Sequence, residues 1–202
     1  MSGRGPEGAA AYSFALTKAI LWVALSLPAL WWTGQYLTGR HVYGEYIHHT
    51  GLLALQLVIV ALAITPVCRW LPSGRLRSGL LRHRRAVGVA SFAYLTLHAV
   101  AYLWRQPWSR VLAEGLTPAY LTAWVGLLIM ALLAATSNNA SVRRLGPRWK
   151  RLHRSVYVAA ALAFAHWILT AFDPGAAYGW LVALLVIEGS RWIPTRGARD
   201  LR

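Results

Sequence analysis

The sequence predicts an all-α membrane protein, a bundle of six transmembrane helices with both termini in the cytoplasm. Of its 202 residues, 57% are hydrophobic and only 13% are charged, whereas a soluble domain carries about 25% charged residues. Apolar runs of about 20 residues recur along the chain, and that length crosses a hydrocarbon core about 30 Å thick. The basic residues also alternate between successive loops, as expected for a multi-pass protein.

The predicted organisation has three parts, which are a disordered, Gly- and Ala-rich segment at 1–12, a six-helix domain at 13–194 and a cytoplasmic tail at 195–202. The six spans are predicted at residues 14–32, 48–67, 86–104, 118–136, 153–172 and 178–193.

The boundaries of these spans have their own signals. Aromatic side chains at residues 31–36 end the first span at a membrane interface. Pro66 lies near the end of the second span, and a basic loop is predicted from there to Arg85. A second basic loop is predicted at residues 137–152, and the Asp173-Pro174-Gly175 sequence predicts a tight turn before the last span.

The Lys and Arg side chains determine the predicted orientation. Of the 21, 18 belong to the amino end, the two basic loops and the tail, and only Arg40, Arg105 and Arg110 belong to the other loops. Because basic loops stay in the cytoplasm, this predicts six spans with both ends of the chain inside. The formal charge of +15 is therefore explained by topology and lipid, and no nucleic-acid partner is needed.

Several kinds of chemistry are excluded by the residues present. The single cysteine, Cys68, forbids an intrachain disulfide, and no CxxC, CxxCH or glycine-rich phosphate loop occurs. The acidic residues are few and scattered, and Glu188 is expected to pair with Arg191 at the i, i+3 spacing. No hydrolytic or metal-binding carboxylate set is predicted.

The strongest functional signal is a pair of histidines inside two spans. His98 follows the Arg82–Arg85 cluster by 13 residues, and His166 follows Arg154 by 12. At 1.5 Å per residue both lie roughly 18–20 Å beyond their basic ends, so they reach a similar depth in the outer half of the membrane. Two neutral imidazoles that face each other across a bundle can ligate a haem iron. The absence of a covalent attachment motif leaves a b-type haem.

Two more histidines lie near the inner ends of these spans. His153 is predicted as the first residue of span five, either as an interfacial residue or as a ligand of a second haem. It lies about 220° around a continuous helix from His166, so the two share a face only if the helix bends or begins after His153. His83 is expected in the basic loop, and it would be the natural partner of His153 if there are two haems.

His48 and His49 open the second span at the outer interface. A helix cap, a partner contact and a quinone site all remain open for them. His41 is expected to be an ordinary loop residue.

The chain also resembles a known family. The segments that carry the resemblance are Ile64-Thr65-Pro66, Arg84 to Gly88, Leu95 to His98, Thr136-Ser137, Leu145 to Trp149, Leu152-His153, Val156-Tyr157 and Ala165-His166. In order and spacing they are similar to MsrQ (YedZ), the family of haem-binding membrane subunits of periplasmic methionine sulfoxide reductases, within the ferric-reductase-like transmembrane class. The resemblance covers residues 14–193, and the His48-His49-Thr50-Gly51 stretch is similar to the family's His-x-Thr-Gly, with His48 as its histidine.

The resemblance implies an electron-transfer subunit in the bacterial inner membrane. Members of the family take electrons from the quinone pool or a cytosolic flavin source and deliver them to MsrP, a periplasmic molybdenum-cofactor reductase that repairs oxidised methionines. It also implies haem-linked roles for His98, His153 and His166, and an association with FMN for which the sequence shows no flavin motif. His83 departs from the family's usual pattern.

Two alternatives remain beside this function. A self-contained ferric or cupric reductase would need its own nicotinamide or flavin domain, which the sequence lacks. A non-redox transporter with a histidine relay would be expected to show an inverted repeat and broken helices, and neither is evident in the sequence.

Overall fold

The computed structural model describes residues 6–193, with side chains described from residue 15. The predicted tail at 195–202 and residues 1–5 of the predicted amino-terminal segment lie outside the described residues. All regular structure in the described part is helical. The elements are α1 Pro6–Leu37, α2 Tyr43–Trp70, α3 Arg75–Arg105, α4 Trp108–Glu114, α5 Pro118–Ala135, α6 Asn139–Leu145, α7 Pro147–His153, α8 Val156–Thr170 and α9 Gly175–Gly189, followed by a 3₁₀ turn at Ser190–Trp192.

Five stretches in the described chain are long and apolar enough to cross a membrane: Ala15–Leu37, Tyr43–Trp70, Arg75–Arg105, Pro118–Ala135 and Pro147–Thr170. The all-α membrane class is therefore confirmed. The predicted sixth span corresponds to α9, whose 15 residues form a helix about 22 Å long. Since this is shorter than a hydrocarbon core of about 30 Å, the count of six spans stays a prediction.

Two predicted boundaries are wrong. The basic loop expected up to Arg85 is helical from Arg75 onward, because arginine is a good helix former and a helix need not end where the hydrocarbon ends. The span expected to begin at His153 is part of the longer stretch Pro147–Thr170, and its helix is interrupted by a turn. Helix α7 ends at His153, a turn follows at residues 154–155, and α8 begins at Val156. The Ser155 hydroxyl donates to the Leu152 carbonyl across this turn (2.7 Å).

The chain forms two compact units, Met1–His49 and Thr50–Arg202. In the first unit, aromatic side chains join the end of α1 to the start of α2. Tyr36 stacks on Tyr46 with ring centroids 4.7 Å apart, and the hydroxyl groups of Thr33 and Tyr46 are hydrogen-bonded at 3.1 Å.

In the second unit, the core lies between α2, α5, α8 and α9. Its buried residues are Leu55, Val58, Ile59, Leu62, Met130, Leu133, Ala159, Ala160, Phe164 and Leu184. Helices α5 and α8 pack closely, since a Cβ added at Gly126 would lie 3.6 Å from the Cβ of Leu162. Small residues allow such close packing of membrane helices.

Helix α3 is attached to α2 by polar contacts. The buried Ser91 hydroxyl donates to the Ala54 carbonyl (2.8 Å), and Arg84 Nε donates to the Ala61 carbonyl (2.8 Å).

Pro66 has no N–H, so the Leu62 carbonyl loses its helical partner, and Arg191 Nη2 lies 3.4 Å from it. Arg191 also forms the predicted ion pair with Glu188 (2.7 Å).

Candidate haem-binding site

The structure brings the two predicted span histidines together. His98 on α3 and His166 on α8 have ring centroids 6.3 Å apart, with their planes at 84°. Nearer the other end of α3, the Arg85 guanidinium lies 5.9 Å from the centroid of Trp149 on α7. Arg85 precedes His98 as Trp149 precedes His166, so α3 and the α7–α8 segment run in the same direction. This parallel course is what the matched depth of the two histidines requires.

The ring of His166 is oriented by a backbone carbonyl. Its Nδ1 lies 2.8 Å from the Ala119 oxygen at the start of α5. Since a carbonyl can only accept, Nδ1 carries the proton and Nε2 keeps its lone pair. Hydrogen bonding of this kind fixes the tautomer and orientation of a metal-bound histidine. His166 is thus prepared to bind a metal through Nε2.

The ring of His98 lies against the backbone of α2. A Cβ built on Gly51 would be 2.8 Å from His98 Nδ1 and 3.0 Å from its Cε1. These separations are too short for a real side-chain carbon, so only glycine leaves room for the imidazole. Gly51 therefore determines how close His98 comes to α2.

The geometry of the pair fits axial ligation of a haem iron. A bond from a metal to an imidazole nitrogen is about 2 Å long, so two imidazoles that bind one ion from opposite sides have centroids roughly 6 Å apart. The observed separation is 6.3 Å. Within the described residues, no three His, Cys, Asp or Glu side chains form a metal site. A pair of ligands suits a haem, whose macrocycle supplies the other donors.

His153 lies in a separate cluster at the junction of α5 and α7. Its ring stacks on Trp149 with centroids 3.9 Å apart, and its Nε2 lies 3.1 Å from Thr136 Oγ1. The Thr136 hydroxyl is 2.7 Å from the Leu132 carbonyl, to which it donates its only proton. Thr136 therefore accepts from His153, so Nε2 carries the proton and Nδ1 keeps the lone pair.

In the first unit, the outer histidines pack among aromatic rings. His49 stacks on Trp32 with centroids 3.7 Å apart, and the exposed His48 lies edge-on to His49 at 5.4 Å. His41, expected to be an ordinary loop residue, pairs through Nδ1 with a Glu45 carboxylate oxygen (2.7 Å).

Comparison with known proteins identifies the family. Residues 50–174 match the family described as "Ferric reductase like transmembrane component". The Caulobacter vibrioides protein-methionine-sulfoxide reductase heme-binding subunit MsrQ is 34% identical over 194 residues, covering 87% of this chain and 89% of that protein. The chain belongs to the MsrQ family. The Rhizobium meliloti MsrQ is 35% identical over 178 residues, with 82% and 79% covered, and that of Xanthomonas campestris pv. campestris strain B100 is 36% identical over 160 residues, with 76% and 72% covered. No solved structure matches.

Family membership confirms the predicted resemblance, and the names of these MsrQ relatives support haem binding. Which residues bind the haem remains a prediction, since only the proximity of His98 and His166 is observed. The expectation that His83 lies in a solvated loop is wrong, because it is half-buried within α3. Its role as a partner of His153 stays a prediction, as does a role for His48.

Sequence reasoning missed the aromatic and polar neighbours of His166 in this MsrQ-family chain. The Tyr120 ring lies 6.2 Å from that of His166, and Tyr102 lies 5.3 Å from Tyr120. Trp124 lies 6.2 Å from Tyr102. Tyr102 lies on α3 and the other two on α5, so no local motif contains the whole group and no sequence signal pointed to it.

Proposed function

We propose that this protein is a b-type cytochrome electron-transfer subunit of a methionine sulfoxide reductase system in the bacterial inner membrane. In this function it passes electrons from a quinone-pool or cytosolic flavin donor to a periplasmic, MsrP-like molybdenum-cofactor reductase. That enzyme then repairs oxidised methionines in periplasmic proteins. The observation that carries the proposal is the His98–His166 pair, whose centroid separation of 6.3 Å fits two imidazoles that would hold one haem iron.

His98 and His166 would hold the haem, which supplies a one-electron redox centre when bound. The Ala119 carbonyl keeps His166 in the tautomer that presents Nε2. Gly51 admits the His98 ring beside α2. These contacts hold both imidazoles before the haem arrives, which reduces the free-energy cost of ordering them.

The proposed orientation places this pair toward the periplasm. Six spans with both termini in the cytoplasm account for the distribution of Lys and Arg. His98 is seven residues from the end of α3, and His166 is four residues from the end of α8. Both therefore lie within about 11 Å of their helix ends. A redox centre near this surface is accessible to a periplasmic partner.

The opposite ends of these helices suit an electron donor. Helices α6 and α7 and the turn after them expose Arg143, Arg144, Arg148, Lys150, Arg151 and Arg154. Such a surface attracts an anionic flavin such as FMN, or an acidic cytosolic protein, by electrostatic steering. His153 lies beside it and remains a candidate ligand of a second haem. Ligation through Nε2 would require the hydrogen bond to Thr136 to break.

An absorption spectrum of the purified protein tests the proposal. We expect a low-spin, bis-histidine b-type spectrum whose dithionite-reduced α band is lost in His98→Ala and His166→Ala. His41→Ala is the matched control, because His41 lies at the surface of the first unit and pairs with Glu45. If both single variants keep wild-type haem content and spectra, the proposed ligand pair is wrong.

A further inference from the structure

A polar cluster that includes two residues of α4 lies beside His166. We call it the Glu114 cluster, and it consists of Tyr102 on α3, Arg110 and Glu114 on α4 and Tyr120 on α5. Arg110 Nε is 2.9 Å from Glu114 Oε1, and the Tyr102 and Tyr120 rings are 5.3 Å apart. Tyr120 interacts electrostatically with both Tyr102 and Glu114, and it is also the residue whose ring lies 6.2 Å from His166.

The two oxygens of the Glu114 carboxylate have different surroundings. Oε1 accepts from Arg110, whose side chain is 54% exposed. Oε2 is shielded from solvent, and the Tyr120 hydroxyl interacts with the carboxylate as a hydrogen-bond donor. The negative charge of Glu114 therefore lies against Tyr120, the residue whose ring neighbours His166.

The positive charge that pairs with Glu114 is that of Arg110, which is the more exposed of the two side chains. The Arg110 side chain is 54% exposed and that of Glu114 31%, so water and salt screen the field of the guanidinium more than that of the carboxylate. The other two side chains of the cluster, those of Tyr102 and Tyr120, are phenols rather than carboxylates. Among the described residues of this cluster, Glu114 thus contributes the one negative charge, and it acts on the His166 side with only partial neutralisation.

We propose that Glu114 lowers the reduction potential of the redox centre held by His98 and His166, and that Arg110 limits this effect. The inference rests on the proposed function, because it needs a haem at that pair. A nearby negative charge stabilises the oxidised, more positive form relative to the reduced form. When one electron arrives from the quinol or reduced flavin donor, the carboxylate therefore disfavours its retention and favours its transfer to the periplasmic acceptor. Glu114 acts on the redox centre through its charge.

The test is a spectroelectrochemical titration of the haem-loaded protein in detergent at neutral pH. Glu114→Gln should shift the equilibrium constant for reduction roughly six- to sixteenfold in favour of the reduced form, the scale of one unit charge about 10–15 Å away at an effective dielectric near 20. Arg110→Gln should shift it in the opposite direction, because the carboxylate then loses its neutralising partner. Asp173→Asn is the matched control and should match the wild type, since that carboxylate is exposed and accepts from the Gly175 amide.

Opposite shifts in the two cluster variants would support the proposal, since a packing defect has no reason to change sign with the charge removed. Shifts in the same direction, or none in either variant, would overturn it. If Glu114→Gln does not take up haem, Arg110→Gln decides alone, and a potential equal to or above that of the wild type would refute the proposal. Failure of the wild type to give a bis-histidine spectrum would instead refute the proposed function.

Discussion

Replacing Gly51 by alanine is expected to weaken haem binding through His98. The new Cβ would lie 2.8 Å from His98 Nδ1, whereas ordinary contact begins at 3.4 Å. The ring must therefore move by about 0.6 Å, or α2 must shift away from α3. Overpacking of this kind costs about 1–3 kcal/mol. At 1.4 kcal/mol per factor of ten, an effect expressed wholly in haem binding lowers the affinity roughly 5- to 140-fold.

The assay is a haem titration of the apo-protein in detergent, followed by the Soret band and the reduced α band. Gly88→Ala is the matched control, because Gly88 lies inside α3 and has no atom within 4 Å of its added Cβ. It should bind haem as the wild type does, and circular dichroism should show the same helix content in all three proteins. If Gly51→Ala has the wild-type affinity and spectrum, the close packing of His98 on α2 does not control haem binding.

Two further predictions concern the direction of electron transfer and the orientation of the chain in the membrane. His153→Ala should keep much of the haem at the His98–His166 pair but slow its reduction by a quinol or reduced flavin, while dithionite still reduces it. If stopped-flow rates of haem reduction in His153→Ala equal those of the wild type with both donors, His153 is an interfacial residue without a role in electron entry. Reporter fusions after Lys150 should report a cytoplasmic location, and fusions after Arg110 a periplasmic one. A periplasmic signal after Lys150 would contradict the proposed orientation.

The sequence alone was sufficient for the fold class and for the central pair of histidines. Both depend on properties that act along one helix at a time. A span needs about 20 apolar residues, and a rise of 1.5 Å per residue places a histidine 12 or 13 residues beyond a basic end at a definite depth. His98 and His166 therefore share a depth whichever neighbours surround them, and their ring contact is observed.

Helix boundaries were harder, because membrane exposure and helix formation are separate properties. The arginines between residues 75 and 85 are unfavourable in hydrocarbon but favourable in a helix, so α3 extends beyond the apolar run. On one continuous helix, His153 and His166 would not share a face. The turn at residues 154–155 has no signal in the sequence, and the contact of His153 with Thr136 across to the end of α5 depends on tertiary packing.

Only the tertiary structure decided what surrounds the histidines. Gly51 approaches His98, and Ala119 accepts from His166, although 47 residues separate each pair. Glu114 and Tyr102 meet Tyr120 from different helices. These contacts depend on the spacing and rotation of whole helices, which result from the packing of Gly126, Leu162 and the core around them. A one-dimensional pattern gives the depth of a side chain, but its neighbours across the bundle follow from three-dimensional packing.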